Sequence, residues 1–136
     1  MLTTNELNDF LASVFPQSNC VVEYTDQAII RVRQPIGESD LRPGGTVSGP
    51  TMMKVADVAL YVAVLNAKGL IPLAVTTNLS INFLNKPSAD KDLIAECKLL
   101  KMGRTLVIGE VSIFSKGSNI PVAHATGTYS IPPVKN

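Results

Sequence analysis

The 136-residue sequence is poor in the residues that build metal centres and disulfide frameworks. It has one histidine, His124, and two cysteines, Cys20 and Cys97, which are far apart in the chain. One histidine and two distant cysteines do not match the ligand sets of protein metal sites, so no metal is expected. Two thiols in a chain long enough to bury a core need no disulfide, which favours a reducing compartment.

Charge is also scarce. Charged residues make up 17% of the chain, and its 12 basic residues nearly balance its 11 acidic ones. This balance leaves no basic stripe of the kind that binds nucleic acid, so no nucleic-acid partner is expected. A lightly charged small chain has much neutral surface, which fits contacts between subunits better than an isolated monomer.

The sequence lacks a hydrophobic run long enough to span a membrane. The longest apolar stretch, 55–65, is interrupted by Asp57 and is shorter than the ~20 residues that a membrane helix needs. The first residues have neither the basic nor the apolar segment of a secretion signal. We therefore expect a cytoplasmic protein that stays out of the membrane and folds as a single domain over residues 1–136.

The residues that are present fall into helix and strand patterns. Thr3 and Glu6 form the pattern of a capping box before a short amphipathic helix, which Pro16 ends. Two segments, 20–24 and 28–33, predict a hairpin. After Pro72, four long segments predict antiparallel strands, and their alternation places one face of the sheet against an apolar layer. These segments are 73–84, 93–102, 104–115 and 120–131.

A long helix is predicted between the hairpin and these four strands. A glycine-rich loop, 37–49, precedes Pro50, and Gly69 follows Lys68, so proline begins the helix and glycine ends it. The helix is apolar on almost every side, which means that protein must surround it. The economical solution is an α+β fold in which a curved antiparallel sheet wraps around one long central helix.

Three blocks of sequence resemble the PaaI-like hotdog-fold thioesterases, a family associated with phenylacetic acid degradation. The blocks are 45–57 (GTVSGPTMMKVAD), 76–84 (TTNLSINFL) and 100–104 (LKMGR) with 122–129 (VAHATGTY). The resemblance implies the hotdog fold and hydrolysis of an acyl-CoA thioester without metal or other cofactor. It also implies a homodimer or homotetramer whose active sites lie at the subunit interface.

Asp57 is the leading candidate for the catalytic group. A carboxylate in an apolar helix can act as general base or nucleophile on a thioester, and an idle one would be costly if buried. The alternative is an ordinary surface aspartate paired with Lys54. The backbone N–H of Gly49 lies at the positive end of the helix and is the candidate oxyanion donor. Otherwise Gly49 serves only a turn.

The chain departs from the family pattern at three positions. Ser48 replaces a histidine, Pro50 replaces a glycine, and Arg42 stands where an asparagine is common. Ser48 is therefore either a catalytic hydroxyl or an N-terminal cap of the helix. Thr76 matches a hydroxyl residue that orients water near the acid in the family, and its alternative is a plain strand threonine.

Four residues at strand ends correspond to positions where the family holds the phosphates of CoA: Lys86, Lys101, Gly103 and Arg104. The alternative for the basic ones is solubility, and His124 is expected to be structural or on the surface. Two other functions stay open. One is a non-catalytic protein that binds acyl-CoA or another acyl ligand, since the loop histidine and asparagine are missing. The other is a hydratase or dehydratase, which ranks last because His124 is poorly placed.

Overall fold

The structure is a computed structural model that describes residues 1–71 and 73–132. Pro72, which was expected to separate helix from strands, and residues 133–136 of the predicted domain lie outside the described residues. A short 3-10 helix, Glu38–Asp40, interrupts the loop before the long helix. The other elements follow in the order α1 (Thr4–Val14), β1 (Val21–Thr25), β2 (Ile29–Gln34), β3 (Leu41–Arg42), β4 (Thr46–Val47), α2 (Gly49–Lys68), β5 (Val75–Phe83), β6 (Leu93–Met102), β7 (Leu106–Ser115) and β8 (Pro121–Ser130).

Helix α1 begins with the expected capping box. The backbone N–H of Glu6 donates to Thr3 Oγ1 at 3.1 Å, and the backbone N–H of Thr3 donates to Glu6 Oε1 at 3.1 Å. Leu7 and Leu11 form its buried face. These reciprocal bonds satisfy two N–H groups that the first turn leaves without helical partners.

Six antiparallel strands form one sheet in the order β1-β2-β6-β7-β8-β5, and β3 pairs with β4 in a separate small hairpin. All predicted strands are present. The strand predicted from 104 begins at Leu106 because Gly103 donates its N–H to Leu106 O at 2.9 Å and closes a tight turn. A Cβ at Gly103 would lie 2.7 Å from that same oxygen, so the turn requires glycine.

Helix α2 lies in the concave face of the sheet, as the α+β hotdog prediction requires, and contacts β2 and β5–β8. It begins at Gly49, one residue before the predicted start, with Ser48 as its N-cap. The side chain of Leu60 on α2 reaches a glycine pair, Gly109 and Gly127, that faces it across β7 and β8. A Cβ at either glycine would lie within 3 Å of a methyl group of Leu60. The absence of these side chains therefore lets the helix lie close to the sheet at this level.

The loop before α2 has more structure than the glycine pattern indicated. It contains the 3-10 helix and the β3–β4 hairpin, and Gly44 and Gly45 have positive φ angles of 103° and 76°. Asp40 holds this loop, because its Oδ2 accepts from Gly37 N at 2.9 Å and its backbone oxygen accepts from Ser48 N at 2.8 Å. Within the described ranges, no helix is both long and apolar enough to cross a membrane.

Candidate active site

The carboxylate of Asp57 lies where α2 faces the adjacent ends of β5 and β8. Its Oδ1 accepts two hydrogen bonds from hydroxyl groups, from Thr76 Oγ1 at 2.5 Å and from Tyr129 Oη at 3.0 Å. The Tyr129 hydroxyl also lies 3.1 Å from the backbone oxygen of Asp57. Thr76 and Tyr129 are cross-strand partners in the β5–β8 ladder, so the sheet presents both hydroxyls to one carboxylate. The sequence predicted Asp57 and Thr76 for the site but not Tyr129.

The side chain of Asp57 is half-buried, whereas its neighbours on both sides are fully covered. The carboxylate needs no ion-pair partner at this position, because the two hydroxyl donors replace part of the hydrogen bonding with water that burial removes. The alternative of a surface pair with Lys54 is not formed, since no salt bridge among the described residues includes Asp57. The carboxylate is therefore held by the sheet and not by a charge on its own helix.

Tyr129 is a rigid part of this cluster. Its side chain is only 3% exposed, and its ring stacks on that of Tyr61 with a centroid separation of 6.1 Å. Burial raises the pKa of Tyr129 far above its ordinary value, and the neighbouring Asp57 carboxylate acts in the same direction. The hydroxyl therefore keeps its proton at neutral pH and can donate a hydrogen bond to the carboxylate.

Gly49 and Ser48 lie at the N-terminus of α2, where Gly49 is the first helical residue and Ser48 is the N-cap. Ser48 Oγ accepts from Thr51 N at 3.3 Å and donates to Thr51 Oγ1 at 3.1 Å, and Thr51 Oγ1 donates to Asp40 Oδ1 at 3.1 Å. Ser48 is thus an N-cap within a chain of hydroxyl groups that ends on Asp40, and its catalytic role stays a prediction. The ring of Phe83 covers Gly49, since a Cβ there would lie 3.2 Å from Phe83 Cζ.

The four candidate CoA-binding residues do not form one cluster within this chain. Lys101, Gly103 and Arg104 lie at the β6–β7 turn, and Lys86 follows β5 at the opposite end of the sheet. The three basic side chains are exposed. Strands of ten residues separate the two ends by about 30 Å. A single phosphate group therefore cannot contact both ends of one chain.

The other polar side chains that the structure describes form no second site of this kind. His124 lies on the outer face of the sheet, where its Nε2 is 3.3 Å from Glu110 Oε2, so it is away from Asp57. In the part of the chain that the structure describes, no three His, Cys, Asp or Glu side chains are grouped so that they could hold a metal ion. Sequence reasoning missed Tyr129 and Asp40. Tyr129 did carry a signal, because it is the one large polar-tipped residue on a β8 face of alanine and glycine.

The chain thus has one long central helix wrapped by an antiparallel sheet, with the Asp57 carboxylate held where β5 pairs with β8. The sequence matches the thioesterase superfamily over residues 44–122, and the chain belongs to that family. A predicted thioesterase from Silicibacter sp. TM1040 is 44% identical, and the match covers 98% of this chain and 94% of that one with a TM-score of 0.89.

More distant structures share the fold. The PaaI protein of the phenylacetic acid degradation operon of E. coli is 19% identical, with 93% of this chain and 90% of that chain covered and a TM-score of 0.73. A hypothetical thioesterase from Streptococcus pneumoniae, solved with coenzyme A, is 23% identical, with 87% and 92% covered and a TM-score of 0.73. The predicted resemblance to PaaI-like hotdog proteins is therefore confirmed.

Proposed function

We propose that the protein hydrolyses an acyl-CoA thioester to the free acid and CoA, with Asp57 as general base or nucleophile. The observation that carries this proposal is the half-buried carboxylate fixed by Thr76 and Tyr129 in a member of the thioesterase superfamily. The choice of CoA as the thiol is supported by the related S. pneumoniae thioesterase, whose structure contains coenzyme A.

In the proposed reaction, Asp57 takes a proton from a water molecule whose oxygen attacks the thioester carbonyl carbon. The carbonyl π electrons move to oxygen, and a backbone N–H at the start of α2 stabilises the resulting oxyanion. Collapse of this intermediate breaks the C–S bond and releases the CoA thiolate. The thiolate then takes up the proton that Asp57 removed from the water molecule. If Asp57 attacks directly, an acyl-aspartyl anhydride forms first and water then hydrolyses it. Neither route requires a metal or prosthetic group.

Geometry supports an active site shared by two chains. Gly49 and Asp57 are eight residues apart on α2, which is about 12 Å along the axis. The Gly49 N–H points out of the N-terminal end of the helix, so an oxygen bound there is roughly 15 Å from the Asp57 Cα. The carbonyl bond, the attacking water and its contact with the base together span only about 7 Å. The Gly49 N–H and the Asp57 carboxylate of one chain therefore cannot act on the same thioester.

We therefore propose that the protein is a homodimer in which a second copy of the chain supplies the oxyanion donor. Two such dimers would form the homotetramer that is the other possible assembly. Strand β5 offers a surface for this pairing, because it is the sheet edge next to Asp57 and its outer side is open in the described residues. Large apolar side chains on and beside this edge are exposed: Leu73, Val75, Phe83 and Leu84. An open nine-residue edge with apolar neighbours is a surface that proteins normally cover.

The first test is release of CoA from a panel of short, medium, long and aromatic acyl-CoAs. Asp57→Asn and Asp57→Ala should each lower kcat by about a thousandfold or more, because the group that activates water is lost. If both variants turn over at the wild-type rate, the assignment of Asp57 fails. Tight binding of acyl-CoA without turnover of any thioester would instead identify a non-catalytic binding protein.

A matched pair of loop variants tests the oxyanion donor. Gly49→Pro removes the backbone N–H, whereas Gly49→Ala keeps it, and both place a Cβ against the Phe83 ring. Pro is tolerated in the first helical turn, so α2 should still form. We expect Gly49→Pro to lower kcat about 10²-fold or more, and Gly49→Ala to lower it far less. Equal losses in the two variants would mean that steric contact with Phe83 matters and the N–H does not.

Mixing subunits tests whether the site is shared. Asp57→Ala and Gly49→Pro each inactivate both sites of a homodimer, but a mixed dimer regains one complete site. If half of the reassembled dimers are mixed, activity should return to about one quarter of the wild-type value. The control is each variant denatured and reassembled alone. No recovery from a mixture that contains mixed dimers would show that each site lies within one chain.

A further inference from the structure

The two oxygens of the Asp57 carboxylate have different surroundings. Oδ1 accepts from both Thr76 Oγ1 and Tyr129 Oη. No residue in the described ranges donates to Oδ2, and the side chain is half-buried and not fully enclosed. The sheet therefore holds one oxygen of the carboxylate and leaves the other without a donor from the described residues.

Tyr129 is better suited than Thr76 to fix the direction of this carboxylate. Its hydroxyl lies within 3.0 Å of Oδ1 and 3.1 Å of the backbone oxygen of the same residue, so it relates the side chain to the helix backbone. Its ring is buried in the core and stacked on Tyr61, so the hydroxyl cannot follow a moving carboxylate. A buried, packed donor restricts the rotation of the Asp57 side chain more than the half-buried Thr76 hydroxyl does.

We propose that Tyr129 is a positioning residue, which holds Oδ1 of Asp57 so that Oδ2 is the oxygen that meets the attacking water or the thioester carbon. This inference rests on the proposed thioesterase reaction. It assigns Tyr129 no contact with the substrate and no proton transfer. Its effect is to keep the reacting oxygen in one orientation before the substrate arrives, which lowers the entropic cost of reaching the transition state.

Tyr129→Phe removes the hydroxyl and keeps the ring that packs on Tyr61. We expect kcat to fall about tenfold to a hundredfold, because a reacting group misplaced by about 1 Å loses rate on that scale. KM should stay within about twofold of the wild-type value, since no substrate contact is removed. Tyr24→Phe is the matched control, because the Tyr24 hydroxyl also donates to a carboxylate, that of Asp26 at 2.6 Å, on the distant β1–β2 hairpin. Its kcat should not change.

A double-mutant cycle with Asp57→Ala separates positioning from general packing. The decrease in melting temperature that Tyr129→Phe causes should be clearly smaller in the Asp57→Ala background than in the wild type, because the hydroxyl then has no carboxylate to hold. Equal losses in the two backgrounds would overturn the inference, as would a kcat of Tyr129→Phe within twofold of wild type. An inactive Asp57→Asn beside a fully active Tyr129→Phe would reject the inference alone. A fully active Asp57→Asn would reject the proposed reaction and the inference together.

Discussion

Replacing Gly127 with alanine would test how closely α2 lies against the sheet. A Cβ at Gly127 would be 2.5 Å from Leu60 Cδ1 and 3.2 Å from the backbone oxygen of Asn78. Carbon atoms in contact are normally about 3.5–4.0 Å apart. Leu60 cannot easily turn away, because it is 1% exposed and its Cδ2 already fills the space in front of Gly109. The added methyl therefore requires the helix or the strand to shift by about 1 Å.

The expected cost of Gly127→Ala is about 2–3 kcal/mol in the free energy of unfolding, in the upper part of the range for overpacked cores. For a chain of this size, each kcal/mol corresponds to a change in Tm of about 3–4 °C, so Tm should fall by roughly 6–12 °C. Because Leu60 is only three residues from Asp57 on α2, the same shift should also lower the activity. Urea unfolding followed by circular dichroism gives the free energy, and a thermal scan gives Tm.

Two variants make this prediction refutable. Gly37→Ala is the matched control, because an added Cβ there meets nothing within 4 Å and the backbone φ of −122° suits alanine. It should change stability by less than about 0.5 kcal/mol. In a Leu60→Ala background, Gly127→Ala should cost at least about 1 kcal/mol less than it does alone, since the new methyl enters the space that leucine leaves. Additive losses, or a Gly127→Ala variant as stable as wild type, would refute the close contact.

Three further predictions concern a thiol, the helix cap and the basic residues. Burial raises the pKa of the Cys97 thiol to about 12 from an ordinary 9.0. The unfolded chain therefore loses this proton first, so stability from the thiol is complete below pH 9 and is lost as pH rises to about 12. Urea midpoints measured across this window should fall, and less steeply in Cys97→Ala. Ser48→Ala should lose about 1 kcal/mol of stability, whereas Ser48→Asn should keep both stability and kcat if Ser48 acts only as a cap. Arg104→Glu should raise KM about fivefold for an acyl-CoA but not for the matching acyl-pantetheine, and Lys116→Glu should raise neither.

Periodicity and chain punctuation were sufficient to predict the helices, the strands and their α+β arrangement, whereas the hotdog fold was identified from the family resemblance. Pro50 and Gly69 located α2 to within one residue, and the alternating segments after Pro72 predicted the four long strands of the structure. These signals are local, because a helix terminus or an alternating strand is determined by residues a few positions apart. The loop 37–49 was less predictable. Its short 3-10 helix and hairpin depend on contacts of Asp40 with residues on both sides, which glycine content does not reveal.

The candidate site was only partly predictable for a similar reason. Asp57 stood out because it is a carboxylate inside an apolar helix. Tyr129 did not, because its contact with Asp57 joins residues 72 positions apart and depends on the pairing of β5 with β8. The family resemblance included residues 122–129, which end on Tyr129, but it implied no role for that residue. A contact of this kind is found only when the register of the sheet is known.

The position of Thr76 shows how a single irregularity in the sheet builds the site. Strict alternation places Leu79 and Ile81 on the helix-facing side of β5, and it would then turn Thr76 to the outer side. The β5–β8 ladder shifts register between Thr76 and Asn78, so Thr77 is an extra residue opposite β8. This bulge reverses the alternation, and Thr76 faces Asp57 on the same side as Tyr129. Bulges often redirect a side chain next to an active site. Here one additional residue in an edge strand brings the second hydroxyl to the carboxylate, while the apolar residues further along the strand still face the core.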